Sequence, residues 1–138
     1  YLTGAYLNKN PLNTLNLGVQ AYLTELNLAD TYLSDLDLSM ADALEFLDMN
    51  NAYMSSIDLT NQVNLYYLDL NNNMLDDIDV SGNTKLSNLN LFNNSLSSLD
   101  ISNNPNLSQL DIRQNYISSI DLSNNPLLDS VEIAAQLN

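Results

Sequence analysis

Carboxylates recur along this chain at a fixed step. Asp37, Asp58, Asp79, Asp100 and Asp121 stand 21 residues apart, and Asn16 heads the series. Two residues beyond each Asp stands a hydroxyl: Ser39, Thr60, Ser81, Ser102 and Ser123. Hard oxygen donors suit Ca²⁺, and Asp35, Asp37, Asp58, Asp77 and Asp79 form the densest group, so calcium is the cation the sequence could accommodate. The alternative is a solvated ladder. At ~4.8 Å, neighbouring charges repel by about 0.9 kcal/mol in water, a cost that salt and hydrogen bonds from serine or backbone can offset. Two further columns at the same step hold Phe46 and Tyr67, and Phe92 and Arg113, with Asp48, Asp69 and Asp111 in the column between them. Aromatics and arginine are the side chains enriched at binding hot spots, which makes these seven the candidate ligand contacts. Phe46 and Tyr67 could equally stack on each other across neighbouring strands.

An enzyme is not expected. The chain has no His and no Cys, so the usual nucleophile–base pairs and zinc sites have no members. Paired carboxylates can hydrolyse glycosides, but the two must sit in different environments. These are repeated identically, with no insertion to build a pocket.

The elements that position these residues follow from one pattern. Leu107-Ser-Gln-Leu110-Asp-Ile112 and Ile117-Ser-Ser-Ile120-Asp-Leu122 both read L-x-x-L-x-L, in half-units of 10 and 11 residues that together make 21. Shorter half-units begin at Leu2, Leu23, Leu44, Leu65, Leu86, Leu107 and Leu128; longer ones begin at Leu12, Leu33, Met54, Leu75, Leu96 and Ile117. All thirteen keep an apolar residue at the three pattern positions, the weakest being Ala5. The L-x-L step is the period of a strand with one buried face. The intervening Asn, Ser and Asp favour turns over helix interiors. Each half-unit therefore reads as a short strand and a turn. One coil cannot bury its own apolar face, so the fold exists only as a stack. The expected architecture is a β-rich solenoid over residues 1–138. It has two parallel sheets of short strands, about six and a half coils and little or no helix.

Turn residues support the stacking. Asn10, Asn73, Asn94 and Asn115 share one position, and Asn83, Asn104 and Asn125 share another. Buried Asn side chains there can bond the turn backbone. Thr31, Ala52, Gln20, Ala41 and Gln62 replace them in the first half, which should be less firmly pinned. Tyr22, Tyr32, Tyr53 and Tyr116 fall at corners, where they are expected to cover the core edge. Ile133 to Gln136 drops the polar turn pattern, as at the end of an array.

The unit LxxLxLxxNxLxxLDLSxNxx, best seen from Leu107 to Asn125, resembles the 21-residue nested class of bacterial leucine-rich repeats, sometimes called IRREKO repeats. Regions of this kind resemble the repeat regions of internalin-like surface adhesins. The resemblance implies an extracellular or bacterial cell-surface module that binds a protein or glycan ligand. The chain departs from the better-known member in having no cysteine ladder.

Charge narrows the partners. Lys9, Lys85 and Arg113 face seventeen acidic residues, for a net charge of -14. Nucleic acid and anionic lipid both call for a basic surface, so the charge argues against either as a partner. No apolar run is long enough for direct membrane insertion. The chain opens at Tyr1, inside the repeat, and reads as a piece of a longer protein. The second functional reading is a structural solenoid, a stalk or an end-to-end fibre. It would self-associate through its open ends, with or without cations.

Overall fold

A computed structural model describes residues 1–134. Gln136, at the end of the segment expected to close the array, lies outside the described residues. Seven three-residue strands follow in chain order: β1 (Gly4–Tyr6), β2 (Glu25–Asn27), β3 (Phe46–Asp48), β4 (Tyr67–Asp69), β5 (Asn88–Asn90), β6 (Gln109–Asp111) and β7 (Ser130–Glu132). They form one parallel sheet in the order β1-β2-β3-β4-β5-β6-β7. Each residue pairs with the one 21 positions on, as Phe46 does with Tyr67 and Leu47 with Leu68. No helix occurs among the described residues.

The core is a stack of pattern leucines. Leu26, Leu47 and Leu68, with Leu28, Met49 and Leu70, are 0–1% exposed in the middle coils. Each such side chain contributes about 1.5–3 kcal/mol on burial. The first coil has a neighbour on one side only, so Ala5, Leu7, Leu15 and Leu17 are partly exposed although they hold the same pattern positions.

The sheet lies on the short half-units alone. The second sheet expected on the long half-units is not formed among the described residues. Both sides carry L-x-x-L-x-L; they differ in the turn that follows. After each of the first six strands comes a residue with positive φ, at Lys9, Asp30, Asn51, Asn72, Asn93 and Gln114. Its N–H reaches forward to the next coil, as Asn51 N donates to Asn71 O (3.0 Å) and Asn72 N to Phe92 O (2.8 Å). After the long half-units from the second on, the chain closes on itself instead; after the first, Gly18 takes positive φ and Gln20 N donates forward to Met40 O (3.1 Å). Ala41 N donates to Leu38 O, and Leu44 N to Ala41 O. Each coil keeps one backbone link on this side, such as Tyr53 N to Leu33 O and Met74 N to Met54 O. One link per coil stacks the coils without making a ladder.

Two internal files of side chains pin the turns. Asn94 Nδ2 donates to Leu70 O (3.0 Å) and Leu91 O (3.1 Å), and its Oδ1 accepts from Leu75 N (3.0 Å). Asn73 and Asn115 repeat this geometry one coil away on either side. On the other flank, Asn83 Nδ2 bonds Leu59 O and Gln62 O, and Asn104 bonds Val80 O and Asn83 O. In the first half, Gln62 does the same work, donating to Leu38 O (2.8 Å). Thr31 donates to Leu28 O (2.8 Å) and Gln20 to Leu17 O (2.8 Å). The expected weakness of the early turns is thus narrowed to Ala41 and Ala52, which have no side-chain group to bond.

Candidate binding face and its acidic counterpart

The strands aim two columns outward on one side of the solenoid, and the residues just past the strand ends add a third, which holds Phe92 and Arg113. Phe46 and Tyr67 are direct partners across β3 and β4. Their rings lie 4.4 Å apart at an interplanar angle of 9°. A stacked pair of this kind adds about 0.5–1.5 kcal/mol beyond area burial. The two rings support each other and remain half-buried. Phe92 and Arg113 form a second cluster two coils further on. The guanidinium lies 5.3 Å from the Phe92 ring centroid. It is held by Asp111 through Nε (3.0 Å) and Nη2 (2.6 Å), and by Glu132 at 2.7 Å.

Asp48, Asp69 and Asp111 stand in the column beside these rings, and each has a structural duty that sequence alone does not reveal. Asp48 Oδ1 accepts from Asn50 N (3.1 Å), Asp69 Oδ1 from Asn71 N (3.0 Å) and Asp111 Oδ1 from Arg113 N (3.1 Å). Asn27 and Asn90 make the same bond to Ala29 N and Phe92 N. An Asx bond ends each of the strands β2 to β6, and either Asp or Asn can make it. The second oxygens look along the sheet: Asp48 Oδ2 accepts from Asn27 Nδ2 (3.3 Å) and Asp69 Oδ2 from Asn90 Nδ2 (3.1 Å).

Electrostatics single out Asp69, which is only 7% exposed. Burial pushes its carboxyl above the ordinary range; the N–H of Asn71 pulls it back, and the neighbouring Asp48 charge raises it again. Tyr67 is pushed up to about 12, first by burial and then by the charges of Asp69 and Asp48. The phenol and both carboxylates therefore share one negative locality. The lone Arg of the face is spent on the other cluster.

A shallow groove of about 270 Å³ runs beside Tyr67, floored by Asn88, Asn90, Gln109, Asp111 and Glu132. Asn88 and Gln109 were missed by sequence reasoning because an amide looks like solvated surface in either setting. Here Asn88 Nδ2 donates to Gln109 Oε1 (2.5 Å), presenting a flat amide pair on the strands. A larger groove of about 600 Å³ lies on the strandless side of the first two coils, where Leu15, Leu17 and Leu36 line it. It is the uncovered flank of the first coil.

On the strandless side, the Asp column is exposed and regular. Asp37, Asp58, Asp79, Asp100 and Asp121 each accept the N–H two residues on, at 2.8–2.9 Å. That N–H and the hydroxyl of the same Ser or Thr hold each carboxyl below its ordinary value. These bonds oppose the repulsion within the column. Asp35 and Asp77 are exposed beside it. Among the described residues no three acidic, His or Cys side chains gather closely enough to hold a metal ion, so Asp35, Asp37, Asp58, Asp77 and Asp79 are not brought together as a cage. The corner tyrosines do not cover the core as expected. Tyr22, Tyr32, Tyr53 and Tyr116 are 51–58% exposed, and Tyr32 and Tyr53 meet edge to face at 5.9 Å.

Parallel three-residue strands at a 21-residue step, turned by Asn files around a leucine core, define a leucine-rich-repeat solenoid. The chain is similar to the functional domain of InlJ from Listeria monocytogenes, described as including a cysteine ladder, at 30% identity and a TM-score of 0.91. That match covers 96% of this chain and 30% of the other. It is also similar to the internalin InlF of the same organism (28% identity, TM-score 0.77, 84% of this chain and 36% of that one) and to internalin C2 (25%, 0.73, 82% and 62%). No family model and no curated protein sequence matches the chain. The chain thus has the leucine-rich-repeat solenoid fold and is similar to these internalins, but it spans less than a third of the InlJ domain and lacks the cysteines of that domain's ladder.

Proposed function

We propose that the chain is a protein-interaction module that docks its partner on the strand face, at the Phe46–Tyr67 stack and the groove beside it. The observation carrying this reading is the difference between the two sides. From the second coil on, the strandless side repeats Asp with a Ser or Thr two residues later, whereas the strand side varies from coil to coil and holds the stacked aromatic pair on a rigid sheet. Aromatic anchors on rigid backbone bind at low entropic cost. Likeness to internalins supports an exported, cell-surface setting and an adhesive role without enzymatic activity. No helix among the described residues is long and apolar enough to cross a membrane.

The test is an array of extracellular protein domains and glycans probed with the wild-type chain and with Phe46→Ser/Tyr67→Ser. The double substitution replaces two half-buried rings and leaves the leucine core intact, so circular dichroism should be unchanged. Protein hits lost in the double variant support the reading. Hits confined to glycans would make the ligand a sugar, and hits insensitive to the substitution would remove the strand face as the docking surface.

One observation favours a second reading, a self-associating structural solenoid. Every coil presents its neighbour with the same 21-residue register, strand against strand from β1 to β7. A second copy stacked in that register would continue the core. Sedimentation velocity over a concentration series, with EDTA and then millimolar Ca²⁺, separates the two. A constant monomer supports the module, growth supports the fibre, and growth only with calcium assigns the junction to the Asp column.

A further inference from the structure

We infer that the partner presents a basic segment, and that an arginine or lysine of that segment seats against Asp48 and Asp69 beside the Phe46–Tyr67 stack. The inference rests on the strand face being the docking surface and names the chemistry of its ligand.

The molecule contains its own precedent. At the C-terminal end of the face, Arg113 packs over Phe92 and bridges Asp111 and Glu132. Ring, cation and two carboxylates on neighbouring strands form a complete set. At β3 and β4 the same components recur without the cation. Asp48 and Asp69 are Cα partners on adjacent strands, as are Phe46 and Tyr67. Neither carboxylate has an ion-pair partner among the described residues, whose ion pairs both belong to Arg113. Asp69 is buried and faces a second carboxylate; hydrogen bonds from Asn71 and Asn90 offset part of the cost, and the two like charges still repel. A cation brought by a partner relieves that cost, and the aromatic pair adds a cation–π surface.

Charge complementarity points the same way. The chain carries -14, and strands β2 to β4 add Glu25 to the two Asp residues with no Lys or Arg. A small divalent ion is a poorer fit. Each carboxylate already spends one oxygen on a backbone N–H and the other on an Asn amide, and two such groups supply too few free ligands for Ca²⁺. A guanidinium or ammonium needs fewer oxygens and gains from the rings.

The test uses the full chain at about 150 mM salt, where exposed charges more than about 8 Å apart are screened. The probe is a blocked Gly-Arg-Gly-Arg-Gly peptide, set against the same peptide with citrulline, which keeps the shape and removes the charge. Asp48→Asn/Asp69→Asn should fold, because Asn27 and Asn90 make the same strand-ending bond in the same column. Should the pair fail to fold, Asp48→Asn alone carries the test. Asp100→Asn/Asp121→Asn removes the same net charge from the other side, where Asn16 shows that Asn is accommodated. The expected result is about tenfold weaker binding for Asp48→Asn/Asp69→Asn and for the citrulline peptide, and less than about twofold weakening for Asp100→Asn/Asp121→Asn. Equal weakening by both pairs, or citrulline binding as well as arginine, overturns the inference. An array partner lost on Phe46→Ser/Tyr67→Ser but indifferent to Asp48→Asn/Asp69→Asn leaves the docking face standing and removes the basic ligand. A partner indifferent to both removes the docking face itself.

Discussion

Two clusters on one sheet face share the same parts and differ in one. Phe92, Asp111 and Glu132 hold Arg113, and the charges there are matched within the chain. Phe46, Tyr67, Asp48 and Asp69 hold no cation, and the buried Asp69 is held against its nearest charge. The scaffold under both is the same: parallel strands in a 21-residue register. What distinguishes them is therefore side-chain identity at a few outward positions. A repeat can vary these positions freely, because its core and turns are fixed elsewhere.

The comparison can be broken most directly at Arg113. Arg113→Gln removes the internal cation, and the second cluster should then behave like the first. Titrated with Gly-Arg-Gly-Arg-Gly, the variant should bind about two peptides where the wild type binds one, with amide shifts appearing at residues 92, 111 and 132. An unchanged stoichiometry would mean that ring and carboxylates alone do not recruit a cation. The thermal midpoint of this variant should fall slightly, since Asp111 and Glu132 lose their partner.

Acid should separate the two sides of the molecule. Asp69 has a raised carboxyl, so the folded state gains relative stability as pH falls through its folded value toward the ordinary carboxylate value. The five Asp residues of the strandless column are depressed; their contribution is complete above the ordinary carboxylate value and is lost as pH falls through their lower folded values. Stability measured by urea unfolding should rise modestly as pH falls from 7 toward about 4–5, then drop steeply below about 4. Asp69→Asn should flatten the upper limb and leave the lower one. Because relief of the -14 net charge acts in the same direction, the difference between wild type and Asp69→Asn is the quantity that decides.

The smallest expected effect lies next to Arg113. Gln114 is in the left-handed region at φ 54°, where Asn72 and Asn93 stand in the preceding coils. Asn enters that region more readily than Gln, so Gln114→Asn should stabilise the chain by a few tenths to about 1 kcal/mol. Thermal unfolding reads this directly, and a loss of stability would contradict the assigned turn.

The period carried most of the fold. Thirteen uninterrupted half-units define coil length, register, buried leucines and both Asn files, because each requirement repeats in every coil. The second sheet was not legible, since L-x-x-L-x-L is common to both half-units. The deciding difference is a backbone conformation after the strand, occupied by Lys, Asp and Gln as well as Asn. Gln62 looked like a gap in the Asn file, yet its longer side chain reaches Leu38 O. At the face, alternation alone placed Phe46 beside Tyr67 and Phe92 beside Arg113. Alternation could not show that Asp48, Asp69 and Asp111 end their strands, nor that Asp111 is neutralised while Asp69 is buried. Those distinctions depend on rotamers and solvent exposure, which a repeat pattern does not encode.

The central claim is that the strand face, and not the acidic face opposite, receives the partner. A ¹H–¹⁵N spectrum of the full chain, recorded with and without a protein partner recovered from the array, tests it most directly. The account predicts shifts centred on residues 46, 48, 67, 69 and 88, with residues 37, 58, 79 and 100 unmoved. Shifts centred on the second set, with the first unmoved, would contradict it.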